Sequence, residues 1–328
     1  MLSQISIIGC GNIGRRHLQS CLNLGGSAYE ITILEPQELM VEKARAMVGA
    51  SNTNVSVSFV SSIEDLPELI DVAIIATSSD VREDIVAALL KLKAVKYLIL
   101  EKFLFQSANA YEHIGSLIAR TGVPTYVNCP TRIWPVFQTL AQVMRGETVT
   151  SIQYDSVGGD IGCNGIHMLD LLSFLVGSEN YEIERFQLLD YRPAKRAGYL
   201  KLAGILNGAF RVHGRTIPFQ ITAPEGEYAG GVTSVELAGK GPIQCREDGA
   251  NVVVSGAGAP PTMLQTDWAA PYQSTLTSMY VERLIADGEI GLPTYNTSMR
   301  MHLSLLKQFL NALNAEGVLD DPLKCPIT

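Results

Sequence analysis

The chain has no CxxC pair and no grouping of histidine and cysteine at metal-ligand spacing, so no metal site is expected. Its six cysteines, Cys10, Cys21, Cys129, Cys163, Cys245 and Cys325, are scattered, as expected of reduced thiols in a cytoplasmic protein. No apolar run approaches the ~18 residues that a membrane-spanning helix needs. No basic n-region precedes the glycine motif that starts within ten residues of Met1, so no secretory signal is expected. Positive charge is in deficit, with 25 Lys and Arg against 33 Asp and Glu. A surface of that sign does not attract nucleic acid or anionic lipid over long range, and neither is expected as a partner.

What is present is an ordinary globular composition, 47% hydrophobic and 18% charged, in a chain long for a single core. Two domains are expected, residues 1–128 and 129–328. The first opens on ISIIGCGNIGRRH. Ile5, Ile7 and Ile8 read as a strand that runs into Gly9, Gly11 and Gly14, spaced GxGxxG, with a helical pattern starting at once. A tight turn calls for Gly9, close approach of backbone to a pyrophosphate for Gly11, and close helix–strand packing for Gly14. Phosphates would sit on the first-turn N–H groups around Asn12 and Ile13. A second strand, YEITILEP, ends in Glu35, 21 residues after Gly14, where a carboxylate accepts hydrogen bonds from ribose hydroxyls and repels a 2′-phosphate. NAD is therefore expected over NADP.

Up to about Thr125, near-continuous apolar strands alternate with amphipathic helices, the pattern of a parallel sheet covered on both faces. The expected class is α/β, with an N-terminal Rossmann-type doubly wound sheet. Its carboxyl edge should carry the ligand. Besides the glycine turn and Glu35, that edge receives Ala76, Thr77 and Ser78 after the fourth strand, Glu101 and Lys102 after the fifth, and Asn128 after the sixth. Thr77 and Ser78 can equally cap the following helix.

After Pro130, RIWPVFQTLAQVMRG reads as one helix, VTSIQYDSVGG as an alternating strand, and CNGIHMLDLLSFLVG as a helix from about Gly165 to Val176. Alternating strands with glycine turns follow, from Glu182 to Ser255, and two helices end the chain. The second domain is therefore expected to be α+β, with a mostly antiparallel open sheet.

Two residues stand out chemically. Lys102 can hold the oxygen of a carbinol or carbonyl and stabilise alkoxide character; its alternative is a solvated strand-end lysine. His167 titrates near neutrality, as a general base requires; its alternative is a histidine satisfied by Asp170, three residues on. Arg192, Lys195 and Arg196 form a basic group that could bind a carboxylate, phosphate or nucleotide diphosphate, or lie in a solvated loop. Tyr228, Trp268 and Tyr272 could offer rings to a sugar or pack in a core.

GCGNIGRRH, the acidic end of the second strand, ATSS, EK and GGDIGCNGIHMLDLL, in this order and spacing, resemble the glucose-fructose oxidoreductase and inositol dehydrogenase family. The resemblance implies NAD(P)-dependent hydride transfer at a carbinol carbon of a sugar, cyclitol or sugar derivative. It implies Lys102 and His167 as catalytic residues, and a homodimer or homotetramer through the C-terminal sheet. It also places Arg132 and Trp134 with Asn128 near the substrate. Phe103 stands where the family has proline, Arg82 where many members have histidine, and Cys163 where an aspartate usually orients the histidine. Asn164 and Asp170 are the nearest substitutes for that aspartate. The alternatives are a non-catalytic NAD- or sugar-sensing protein of the same fold, and a reductase of an imine or tetrapyrrole.

Overall fold

Apolar runs in the first third of the chain build the expected open sheet. The computed structural model describes residues 2–25, 29–156, 158–227 and 229–328. Tyr228, one of the candidate rings, lies outside them. The elements of the first part are β1 (Ser3–Ile8), α1 (Asn12–Cys21), β2 (Tyr29–Leu34), α2 (Glu38–Gly49), β3 (Ser56–Val60), β4 (Leu69–Ile75), α3 (Arg82–Leu92), β5 (Ala94–Leu100), α4 (Ala108–Thr121) and β6 (Thr125–Val127). The strands form one six-stranded sheet, ordered β3-β2-β1-β4-β5-β6, with every neighbouring pair parallel. This is the doubly wound order, with its switch point between β1 and β4, where ligands bind at the carboxyl edge. Ile5, Ile7, Ile8, Ile31, Ile33, Ile74, Ile75, Leu98 and Ile99 are fully buried in its core.

The second part comprises a 3-10 turn (Pro130–Ile133), α5 (Pro135–Met144), β7 (Val149–Ser156), α6 (Ile161–Val176), β8 (Tyr181–Pro193), β9 (Leu200–Val212), β10 (Arg215–Ala223), β11 (Gly231–Leu237), β12 (Gly241–Asp248), β13 (Asn251–Ser255), α7 (Pro261–Leu264), β14 (Trp268–Ala269), α8 (Gln273–Ala286) and α9 (Tyr295–Ala315). Its eight strands run β14-β13-β12-β11-β7-β10-β9-β8, antiparallel throughout except for β7 against β10. Helix α6 packs on β7, β9 and β10. It buries Leu169 and Leu172 completely, each a site where truncation to alanine costs about 2–5 kcal/mol.

Three expectations are corrected. The single helix read across RIWPVFQTLAQVMRG is two elements, because Pro135 cannot continue a preceding turn and instead opens α5 at its first position. Helix α6 starts at Ile161, not near Gly165. The Asp160 side chain caps it by accepting from the Cys163 N–H (3.1 Å). Gly162 is there for packing: a Cβ on it would lie 3.0 Å from Leu202 Cγ and 3.1 Å from Ile327 Cγ2.

The third correction concerns the boundary. The chain forms two compact units, one of residues 1–105, 109–128 and 271–296, the other of 106–108, 129–270 and 297–328. Pro271–Asn296 thus returns to the first unit. Helix α8 packs on α1, where the Ser278 N–H donates to Ser20 Oγ (2.9 Å). The chain after α8 meets the sheet edge, with Val127 N–H donating to Pro293 O (3.0 Å). A helical signal shows that α8 forms; it does not show which core the helix covers.

Candidate functional site

In the first unit the glycine turn is shaped by contacts that exclude side chains. Gly9 has φ +89°, and a Cβ there would lie 2.9 Å from Thr77 Cγ2. A Cβ on Gly14 would lie 2.0 Å from the Gly9 carbonyl oxygen, so α1 can leave the turn only because residue 14 has no side chain. Gly11 differs, since a Cβ there meets nothing within 4 Å. Its place is open space, the kind of cradle a diphosphate fills. Gly11 is also the α1 N-cap and supplies no capping side chain, so the first-turn N–H groups of Asn12, Ile13 and Gly14 need another acceptor.

Glu35 is buried at the end of β2. One carboxylate oxygen accepts from the Cys10 N–H (2.8 Å) and the other from the Gln37 N–H (3.0 Å). It therefore braces the glycine turn. The β1 and β4 ends are tied by Ala76 N–H donating to Ile8 O (2.8 Å). Beyond Ala76, Thr77 and Ser78 are half-buried, and Thr77 Oγ1 is buried without a hydrogen-bond partner among the described residues. So is Asn128 Oδ1. Two such orphaned acceptors on the carboxyl edge, with the space at Gly11, fit a bound dinucleotide.

At the end of β5 stands a polar cluster that the sequence reading missed. Glu101 Oε1 meets His17 Nε2 (2.9 Å) and accepts from Asn128 Nδ2 (2.5 Å). His17 Nδ1 meets Thr277 Oγ1 (2.8 Å), and Asn128 Nδ2 also donates to Gln273 Oε1 (2.8 Å). His17 and Glu101 are buried. Burial alone would raise the Glu101 carboxyl, but the His17 hydrogen bond and charge, then Lys102 and Asn128, outweigh it and hold the group down at about 2. The carboxylate next to Lys102 is thereby fixed in its charged form and tied to α1 and α8. His17 follows the third glycine on α1 by three residues, which was the available signal.

Lys102 itself is half-buried, and its peptide bond to Phe103 is cis. The segment after it is held by Arg82, 1% exposed, whose guanidinium donates to the carbonyls of Phe103, Leu104 (2.8 Å) and Thr77. This arginine joins the loop after β4 to the loop after β5.

In the second unit His167 lines a cavity of about 320 Å³ with Thr131, Trp134, Tyr154, Asn164 and Glu247, floored by Met168 and Leu171. Asp170 does not serve His167. Its two oxygens accept a bidentate pair from Arg132, Nε to Oδ2 and Nη2 to Oδ1, both 2.8 Å. The Arg132 guanidinium also lies 5.2 Å from the centre of the Phe174 ring. Burial pushes the Asp170 carboxyl up to about 6 against the pull of Arg132. Asp170 and Arg132 thus brace the His167 helix against the turn that carries Thr131 and Trp134. Cys163 lies one turn before His167, half-buried, and is not among the residues lining the cavity.

The Trp134 indole N–H is buried without an acceptor among the described residues. Tyr154 and Glu247, from β7 and β12, were not singled out by sequence, because only the strand order brings them together. The Tyr154 hydroxyl donates to Glu247 Oε1 (3.0 Å). The basic group is less suggestive: Arg192 pairs with Glu225 (2.5 Å), the Arg196 guanidinium lies 5.7 Å from the Tyr199 ring centre, and Arg192, Lys195 and Arg196 are all exposed. Trp268 donates to Met263 O (3.0 Å), and Tyr272 is exposed.

Residues 3–129 match the GFO/IDH/MocA oxidoreductase family with an NAD-binding Rossmann fold. The match covers the amino-terminal unit and says what that unit is similar to. No curated protein matches it in sequence. Solved structures share its fold along nearly the whole length. An oxidoreductase from Agrobacterium radiobacter in complex with NAD+, L-tartaric acid and magnesium is 14% identical with a TM-score of 0.66, covering 96% of this chain and 97% of that one. An oxidoreductase from Sinorhizobium meliloti is 17% identical with a TM-score of 0.67, covering 96% and 98%. The transcriptional regulator Gal80p from Kluyveromyces lactis is 14% identical with a TM-score of 0.70, covering 96% and 93%. At these identities the likeness is one of fold. Among the described residues no helix is long and apolar enough to cross a membrane, and no group of three or more His, Cys, Asp or Glu could hold a metal ion.

Proposed function

We propose that this protein is an NAD-dependent oxidoreductase acting at a carbinol carbon of a sugar, cyclitol or sugar derivative. The observation that carries the reading is the carboxyl edge of the first unit: an open cradle at Gly11, a carboxylate at Glu35, orphaned acceptors at Thr77 and Asn128, and Lys102 beside a carboxylate held charged. When bound, the coenzyme supplies a hydride acceptor or donor. Asn12, Ile13 and Gly14 would hold its diphosphate by their N–H groups. Glu35 would take ribose hydroxyls and disfavour a 2′-phosphate. Thr77 Oγ1 and Asn128 Oδ1 are acceptors available to its amide end.

Lys102 would hold the substrate oxygen, stabilising negative charge as the C–H bond breaks. His167 would accept the hydroxyl proton in oxidation and return it in reduction. Asp170, committed to Arg132, steadies the helix that carries the imidazole.

A binding-only reading has two supports. Cys163 replaces the aspartate that the family resemblance expects before His167, and one fold neighbour is a transcriptional regulator. One experiment separates the two: NADH formation by the full chain with NAD, NADP and a panel of sugars and cyclitols, for wild type and Lys102→Met. We expect turnover with NAD in preference to NADP, and loss of kcat by at least about a hundredfold in the variant with NAD affinity unchanged. NAD binding without turnover on any substrate supports the sensor; near-normal kcat in Lys102→Met removes the assigned role.

A further inference from the structure

Helix α6 lines two cavities of the second unit. One holds His167. The last turn of the helix, Phe174 to Gly177, lines another of about 450 Å³ that shares no residue with the first. Phe174 follows His167 by seven residues, about 10 Å along the helix axis, so the second space is a separate place in the fold. Its volume lies within the range of small-molecule sites.

The floor of this cavity is apolar. Met144 at the end of α5, Val149 of β7, Leu175 of α6 and Ile217 of β10 are buried, and half-buried Phe174 and Val176 join them. Arg145, His213 and Arg215 also line it but are exposed, so they stand on its solvent side. The charges there do not cancel. Glu147 is the one acid in the lining, and its carboxylate is taken by Lys240 Nζ at 2.6 Å. Glu179 and Glu182, which follow the last turn of α6, pair with Arg300 and Arg211. Neither Arg145 nor Arg215 has an ion pair or side-chain hydrogen bond among the described residues. The carbonyl end of α6 opposes an anion, but the Gly177 and Ser178 N–H groups already donate to Phe174 O and Ser173 O. What remains is about half a charge, against two full guanidinium charges.

The turn between β9 and β10 adds a third group. His213 and Gly214 form it with φ +48° and +78°, the paired left-handed conformation of a two-residue hairpin. Asparagine or glycine is the usual first residue of such a turn. A histidine there gains nothing for the turn, yet its side chain lines the cavity.

We propose that this cavity is a second ligand site, for a small carboxylate with an apolar body. The body lies on the floor, and the carboxylate accepts from Arg145 and Arg215, whose planar forks match its two oxygens. The floor offers no side-chain partner for ring hydroxyls, so the ligand is of another class than the proposed substrate. The proposal does not depend on the reaction proposed above.

The test is calorimetric titration of the full chain with phenylacetate, its neutral amide phenylacetamide, its cationic counterpart phenethylamine, and inorganic phosphate. A charge-assisted pair favours phenylacetate over the amide by about tenfold, with phenethylamine and phosphate weaker still. The double variant Arg145→Gln, Arg215→Gln changes exposed side chains only and should bring phenylacetate within about threefold of the amide. Val176→Phe, which fills the cavity from α6, should abolish binding of both. His213→Asn should melt no lower than wild type and bind phenylacetate severalfold more weakly. Tightest binding of phenethylamine, phosphate bound as tightly as phenylacetate, an unchanged preference in the double variant, or no saturable binding of phenylacetate to folded protein overturns the proposal.

Discussion

Replacing Glu101 by glutamine tests whether the cluster at the end of β5 is held together by charge. In the folded chain this carboxyl is lowered from 4.5 to about 2, because the His17 hydrogen bond and charge, Lys102 and Asn128 overcome the opposing effect of burial. At 1.36 kcal/mol per pKa unit the shift is worth about 3 kcal/mol, and because the group is buried no solvent discount applies. The sign follows from linkage. The folded state releases this proton more readily than the unfolded chain, so the contribution is complete above about 4.5 and is lost as pH falls toward 2. Urea unfolding followed by far-ultraviolet circular dichroism should therefore show Glu101→Gln less stable by about 3 kcal/mol at pH 7, with roughly half of that gap remaining at pH 3. The wild-type minus variant difference removes the other carboxylates that titrate in the same window. A double-mutant cycle with His17→Ala isolates the pair, and a coupling of at least about 1 kcal/mol is expected. A Glu101→Gln variant within about 1 kcal/mol of wild type at pH 7, or a gap that does not shrink in acid, would refute the charged-cluster account.

Two further outcomes follow from the same reasoning. Gly11→Ala should melt within a degree or two of wild type yet bind NAD at least about tenfold more weakly, whereas Gly14→Ala, which would push a Cβ to 2.0 Å from Gly9 O, should be destabilised by more than about 2 kcal/mol. Asp170 has the opposite sign to Glu101: its raised carboxyl gives stability that is complete below 3.8 and lost as pH rises through about 6, about 3 kcal/mol in all. Both tryptophans lie in the second unit, so their emission follows its unfolding, and Asp170→Asn should flatten that dependence between pH 4 and 7.

The first unit was legible because its signals are local. Gly9, Gly11, Gly14 and Glu35 stand within one strand–helix–strand span, and the apolar strands alternating with helices after it carry the pattern of a parallel sheet joined by right-handed crossovers. Local signals also misled where one residue type serves two purposes. The helix carrying His167 is expected from about Gly165, yet Gly162 lets α6 approach Leu202 and Ile327, so it begins a turn earlier, at Ile161. Asp160 carries the signal for that earlier start, an N-cap ahead of an apolar run.

Long-range pairing sets the remaining limit. Asp170 lies three residues from His167, the spacing at which a helix brings side chains together, yet Arg132, 38 residues earlier, takes both of its oxygens because a planar guanidinium satisfies a buried carboxylate better than an imidazole does. The distance between Tyr154 and Glu247 in sequence, 93 residues, is bridged only by the order β12-β11-β7 and by the gap at Gly231. No periodicity encodes that order.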